Sequence, residues 1–212
     1  MIKRIIFDID NTLIPWEDKY YNTLDKTFKK LNISFSEEIK NNIIRAVDDY
    51  ENIYNIYHEK LMLDLFNKYT GLVLPNNFME VWLKDLESCI PDDNTEIKDI
   101  LEYLSKKYEI VVLTNWFTVE QQNRLKNLNL DIYFKEIIGT DQVLNKPSHE
   151  AFNKAIGNHK SNECVMIGDN LEKDIMGASE AGLNTILFDY KNRYGDYPYQ
   201  RVTSLIELKK YL

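Results

Sequence analysis

The chain is poor in the features that mark several large protein classes. Its 212 residues hold two cysteines, Cys89 and Cys164, far apart and without Cys-x-x-Cys spacing. Neither a disulfide framework nor a cysteine zinc site is therefore expected. Cys164 opens the apolar run Cys164-Val165-Met166-Ile167-Gly168, which suits a core residue better than a nucleophile. His58 and His149 stand without partners at metal-ligating spacing and read as ordinary surface or helix residues. Positive charge is in deficit: 26 Lys and Arg against 34 Asp and Glu give a formal charge of -8. No basic block interrupts that balance, so a nucleic-acid or anionic-membrane surface is not expected. No apolar run approaches the length of a membrane span. The start, Met1-Ile2-Lys3-Arg4, leads directly into a short strand, so no signal peptide is expected and a cytoplasmic location fits best. Internal repeats and low-complexity tracts are missing as well. What remains is a chain 44% apolar, long enough for one large core with an insert.

What is present comes in two textures. From about Glu17 to Ser88 apolar residues recur at helical spacing. Tyr20, Leu24, Phe28 and Leu31 mark one helix; Ile39, Ile43, Ala46, Tyr50, Ile53 and Tyr57 mark a second, with Ser36 as its N-cap. Leu61, Leu65, Phe66 and Tyr69 mark a third that Gly71 can stop, and Pro75 to Ser88 a fourth. Four helices without an intervening strand predict a small bundle with its own core. Beyond Pro91 helix and strand alternate. Strands are expected at Glu109–Leu113, Phe134–Ile138, Cys164–Ile167 and Thr185–Phe188, besides the first at Lys3–Phe7. Helices are expected around Ile97–Leu104, Thr118–Leu128, Ser148–Ile156, Leu171–Ala181 and Ser204–Leu212. This pattern predicts an α/β fold: a doubly wound, Rossmann-like parallel sheet covered on both faces. The core takes residues 1–15 and 91–212, with residues 16–90 an inserted all-α helical bundle. The tyrosine-rich stretch Tyr190–Tyr199 reads as a surface loop.

The residues with chemical potential sit where these strands end. The first strand delivers Asp8 and Asp10 into the turn Asn11-Thr12-Leu13. The second ends in Thr114-Asn115, Lys146-Pro147 precedes a helix, and the fourth ends in Gly168-Asp169, with Asp174 five residues on. In a parallel sheet such ends share one edge, so residues distant in sequence converge there. Carboxylates at the end of a buried strand are costly without a cation between them. Hard oxygen ligands with few side chains suit Mg2+. A lysine and turn amides suit the oxygens of a phosphate.

Asp8-Ile9-Asp10-Asn11-Thr12, Leu113-Thr114-Asn115, Lys146-Pro147 and Gly168-Asp169-Asn170-Leu171-Glu172-Lys173-Asp174 resemble, in order, the four motifs of the haloacid dehalogenase superfamily. The similarity extends over Gln121 to Phe152 and Gly168 to Leu183, and an insert after the first motif is what that family uses as a C1 cap. The resemblance implies Asp8 as a nucleophile that forms an aspartyl-phosphate and Asp10 as the general acid and base. It implies Mg2+ between Asp8, the backbone carbonyl of Asp10 and Asp169, with Asp174 as a further ligand or supporting carboxylate. Thr114 and the amide of Asn115 would hold the phosphate, and Lys146 would pair with both the phosphate and Asp8. Asn11 and Trp116 complete the expected substrate side. Trp116 departs from the family pattern, which commonly has a small residue there; it would either stack on the leaving group or pack against the cap.

Asp10 separates the branches, since the family's dehalogenases lack a carboxylate two residues after the nucleophile. The expected activity is thus a Mg2+-dependent phosphatase acting on a small phosphorylated metabolite, a nucleotide or a sugar phosphate. The alternatives are a phosphomutase of β-phosphoglucomutase type and a non-catalytic phosphate-binding relative. Neither a nucleic-acid nor a membrane partner is expected, and the chain would act as a monomer or homodimer. Trp16 reads as a hinge or cap-packing residue, the tyrosines at helical spacing as bundle core, and Asp48-Asp49-Glu51 as a solvated helix face.

Overall fold

In the computed structural model, which describes residues 1–16, 20–195, 198 and 200–212, the β-branched and aromatic run Arg4–Phe7 forms strand β1, buried at every residue. Side chains alternate across a strand. Ile5 and Phe7 therefore enter the hydrophobic cluster on one face of the sheet, and Ile6 enters the cluster on the other. The remaining strands are β2 (Glu109–Thr114), β3 (Glu136–Gly139), β4 (Cys164–Gly168), β5 (Asn184–Phe188) and β6 (Arg201–Val202). They form one sheet in the order β3-β2-β1-β4-β5-β6, parallel throughout. Both faces are covered, as a parallel sheet requires, and the fold is α/β and Rossmann-like.

Between β1 and the rest of the sheet run helices α1 (Tyr20–Lys30), α2 (Glu37–Ile53), α3 (Glu59–Thr70) and α4 (Phe78–Leu86). Their apolar stripes meet in a separate cluster built on Leu24, Phe28, Ile43, Tyr50, Phe66, Phe78 and Trp82. Ser36 caps α2, accepting from the amide of Ile39, and Gly71 stops α3 at φ 70. Core helices α5 (Thr95–Ser105) and α6 (Thr118–Asn127) lie over one face of the sheet, while α7 (His149–Ile156) and α8 (Gly177–Glu180) lie over the other. Both cysteines are buried free thiols.

Several boundaries differ from the sequence expectation. Helix α2 stops at Ile53, and Tyr57 lies beyond it, its amide donating to the carbonyl of Thr140 at 2.8 Å. The helix expected from Leu171 begins as a π-helical turn, Leu171–Met176. The closing segment Leu205–Lys210 is a 3-10 helix. Strand β6 was not expected, being two residues long. Residues 17–19, in the expected first stretch of the helical block, and 196, 197 and 199, within the expected loop, lie outside the described residues. Among the described residues no helix is long and apolar enough to cross a membrane.

Candidate active site

Phe7 pairs with Val112 of β2 and Ile167 of β4, so Asp8, one residue on, leaves the sheet where the strand order reverses. Open α/β sheets form their binding crevice at this point. The chain then turns tightly: the carbonyl of Ile9 accepts from the amides of Thr12, Leu13 and Ile14. Asn11 adopts φ 62, a left-handed conformation that asparagine tolerates. Its side-chain oxygen accepts from the Trp16 amide at 3.1 Å. Asn11, expected as a phosphate contact, thus holds the turn with its side chain.

Lys146 Nζ donates to Asp8 Oδ1 at 2.7 Å and to Asp174 Oδ1 at 2.6 Å. The Thr12 hydroxyl donates to Asp8 Oδ2 at 3.3 Å. The amide of Asn170 donates to Asp174 Oδ2 at 3.1 Å, and Arg193 meets Asp169 at 3.3 Å. Asp8, Lys146 and Asp174 are all buried. Gly168 makes this packing possible, since a Cβ there would lie 2.3 Å from Asp174 Oδ2. Carboxylate oxygens of Asp8, Asp169 and Asp174 can all lie within 4.8 Å of one another. Burial pushes Asp8 well above the usual carboxylate range; Lys146 pulls it down, and Asp174 and Asp169 push it up again. Asp169 is pushed up to about 6 by burial and by Asp174, with Arg193 and Lys146 opposing. Burial alone would lower Lys146, but Asp174 and Asp8 outweigh it and hold the ammonium above its usual range.

Three crowded carboxyl groups outnumber the Lys146 ammonium and the Arg193 guanidinium beside them, and all offer hard oxygen donors. That donor set fits a divalent cation such as Mg2+. The Asp10 carboxylate is outside this group. Its oxygens accept from Gln121 Nε2 at 2.6 Å and Arg124 Nη1 at 2.5 Å.

Thr114 closes β2 at the edge of the cavity. Asn115 uses its side chain to fix the lysine loop: Oδ1 accepts from the Lys146 amide at 2.9 Å, and Nδ2 donates to the Lys146 carbonyl at 3.1 Å. Trp116, for which stacking on a leaving group and packing were both open, is 4% exposed. It packs edge-on to Trp16, Tyr57, Trp82 and Phe117, joining the cluster of the helical insert, and it also lines the cavity, so the packing does not remove it from the substrate side.

The reading of Asp48-Asp49-Glu51 as a solvated face fails at Glu51. Its carboxylate accepts from Asn115 Nδ2 at 3.0 Å and the Tyr57 hydroxyl at 2.9 Å, and pairs with Lys173 at 2.6 Å. Asp48 is exposed but lines the same cavity of about 310 Å³, as do Trp16, Val47 and Tyr57. Sequence reasoning also missed Gln121, Arg124, Lys173 and Arg193. One signal was available: Gln121 and Arg124 fall on the helix stripe of the core residue Leu125, where polar side chains need a buried partner.

A family model described as haloacid dehalogenase-like hydrolase matches residues 5–188. The glyceraldehyde 3-phosphate phosphatase of Methanocaldococcus jannaschii is 28% identical, with 100% of this chain and 99% of that protein covered. The pyrimidine 5'-nucleotidase YjjG of Escherichia coli is 27% identical, with 98% and 96% covered. Among solved structures, the HAD-hydrolase YfnB of Bacillus subtilis bound to magnesium superimposes with a TM-score of 0.79 at 21% identity, covering 100% of this chain and 98% of that one.

Proposed function

The chain belongs to the haloacid dehalogenase-like hydrolases and is a phosphatase, and we propose that it hydrolyses a small phosphorylated metabolite, a sugar phosphate or a nucleotide, with Mg2+ and through an aspartyl-phosphate on Asp8. The observation that carries this reading is the single cluster in which Lys146 bonds both Asp8 and Asp174 while Asp169 stands within ligand distance and Asp10 faces the same cavity.

Asp8, Asp169 and Asp174, with the main-chain carbonyl of Asp10, would hold the metal. When bound, Mg2+ offsets the repulsion between the Asp8 carboxylate and an anionic substrate. An Asp8 oxygen attacks phosphorus, the bond from phosphorus to the leaving oxygen breaks, and Asp10 protonates that oxygen. Asp10 then takes a proton from water, which attacks phosphorus, freeing phosphate and restoring Asp8. Lys146 and Thr12 fix the two Asp8 oxygens, so the nucleophile needs little reorganisation before attack. Thr114 and the Asn115 amide hold the phosphate, and the helical insert acts as the cap that excludes water.

The test is phosphate release from p-nitrophenyl phosphate. Release is expected with Mg2+ and should be lost with EDTA or in Asp8→Asn. Activity that survives chelation or that substitution overturns the mechanism.

A further inference from the structure

We propose that Arg124, helped by Gln121, is a positioning residue that aims the Asp10 carboxyl at the leaving oxygen, acting from the point where both chain crossings of the helical insert meet the core. The inference rests on the reading of Asp10 as general acid and base.

Arg124 is 0% exposed. Its Nη1 donates to Asp10 Oδ1 at 2.5 Å and to Gln121 Oε1 at 3.3 Å, while Gln121 Nε2 donates to Asp10 Oδ2 at 2.6 Å. Each Asp10 oxygen thus has one fixed donor, both from α6, and the pair fixes the plane of the carboxyl. A carboxylate offers about four lone-pair sites, so the remainder stay available to the cavity that Asp10 lines. An aspartate of this kind, with its side chain 21% exposed, would otherwise sample several rotamers.

The guanidinium is also tied to the two segments that join insert and core. Nε donates to the Cys89 carbonyl at 3.1 Å, where the chain returns from the insert. The guanidinium carbon lies 4.8 Å from the ring centre of Trp16, where the chain leaves for it. Burying a guanidinium is costly without compensation. Asp10 supplies the opposing charge, and the carboxyl of Glu120 lies 3.7 Å away. The planar fork of arginine can hold a carboxylate, a carbonyl and an aromatic face together, which the single ammonium of lysine cannot.

A general acid matters most when the leaving group is poor, and this distinguishes aiming from mere structural support. Arg124→Met and Gln121→Met should be compared with wild type on p-nitrophenyl phosphate, a good leaving group, and glycerol phosphate, a poor one. Asp10 also serves the second step, which both esters share, so the quantity compared is the rate of alcohol release in the first turnover. General acid–base catalysis is worth about 100-fold or more, so for Arg124→Met that rate should fall about 100-fold on glycerol phosphate and only a few-fold on p-nitrophenyl phosphate, with KM little changed. Arg124→Lys should recover part of the loss on glycerol phosphate. If Arg124→Met does not fold, Gln121→Met carries the test and should show the same bias at smaller size. Equal losses on both esters, or a change confined to KM, overturn the proposal. Asp10→Asn separates the two layers of the argument. If it shows the leaving-group bias and the α6 variants do not, only the role of Arg124 falls. If Asp10→Asn loses both esters equally, the acid–base reading falls, and the positioning role with it.

Discussion

Glu120 shows how much local disorder of charge the site tolerates. It is 3% exposed, with the Arg124 guanidinium 3.7 Å from one carboxyl oxygen and the Trp116 indole N–H beside it. Burial pushes Glu120 up to about 8, against the pull of Arg124 and with Asp10 and Glu87 adding to the rise. The sign follows directly. Between its ordinary value of 4.5 and about 8 the folded chain keeps a proton on Glu120 that the unfolded chain has lost. Its contribution is therefore fully present below the unfolded value and drains away as pH rises through the window, by at most about 1.4 kcal/mol per pH unit. Glu120→Gln cannot ionise, so its thermal midpoint should gain on that of wild type between pH 5 and pH 8. Parallel melting curves at the two pH values would show that Glu120 is ionised in the fold. At this scale Asp8, Asp10, Thr114, Lys146, Asp169 and Asp174, which line one cavity, were legible because they follow strand ends or precede a helix at one sheet edge and resemble the family's motifs in order. Arg124 and Gln121 were not, because a polar residue on an apolar helix stripe does not name its partner.

Among the elements, helices and strands with strong periodicity came out as the sequence pattern predicts, to within a few residues. The discrepancies have physical reasons. Tyr57 keeps the helical spacing of α2, but its backbone is drawn off by Thr140. Strand β6 is set by pairing with Leu187 and Phe188, a tertiary condition that two residues cannot encode. Glu51 looked like part of a solvated face because charge pattern does not distinguish water from a polar cleft. Its position gives α2 a second role. The Glu51–Lys173 pair, with side chains 17% and 38% exposed, joins the helical insert to the π-helical turn after β4. Partly exposed pairs contribute about 0.2–1 kcal/mol, too little to govern folding but enough to move a closure equilibrium, since about 1 kcal/mol is roughly fivefold. Glu51→Gln, which removes the charge paired with Lys173 but can keep a hydrogen bond to the Tyr57 hydroxyl, should thus change the thermal midpoint little and raise KM for p-nitrophenyl phosphate roughly fivefold, with kcat changed less. A large drop in the midpoint with unchanged KM would make Glu51 a folding residue instead.

For the whole molecule, the change from helical runs to alternating strands and helices marks where four consecutive helices, α1 to α4, give way to the sheet and the helices that cover it, but not which surfaces face each other across the cavity. That pairing constrains the substrate. The cavity of about 310 Å³ is at the small end for ligand sites. Away from the phosphate end its wall offers Trp16, Val47, Tyr57, Asp48 and Glu51, and Lys173 there is already paired with Glu51. Lys146 is held by Asp8 and Asp174. Among the described lining residues, then, no cation is left over for a second anionic group, whereas Asp48 would repel one. This argues against the phosphomutase alternative, whose bisphosphate needs two anion sites, and for esters of neutral, hydroxyl-bearing or aromatic alcohols. Two like charges about 4 Å apart cost from about 1 kcal/mol in water to about 4 kcal/mol near a protein surface. The kcat/KM for a neutral-alcohol monophosphate should therefore exceed that for a matched ester bearing a carboxylate or second phosphate by roughly tenfold or more. Asp48→Lys should narrow that gap chiefly by improving the dianionic ester, while the neutral ester changes little. A wild-type preference for the second anion, or a gap indifferent to Asp48→Lys, would show that the acidic wall does not select the substrate.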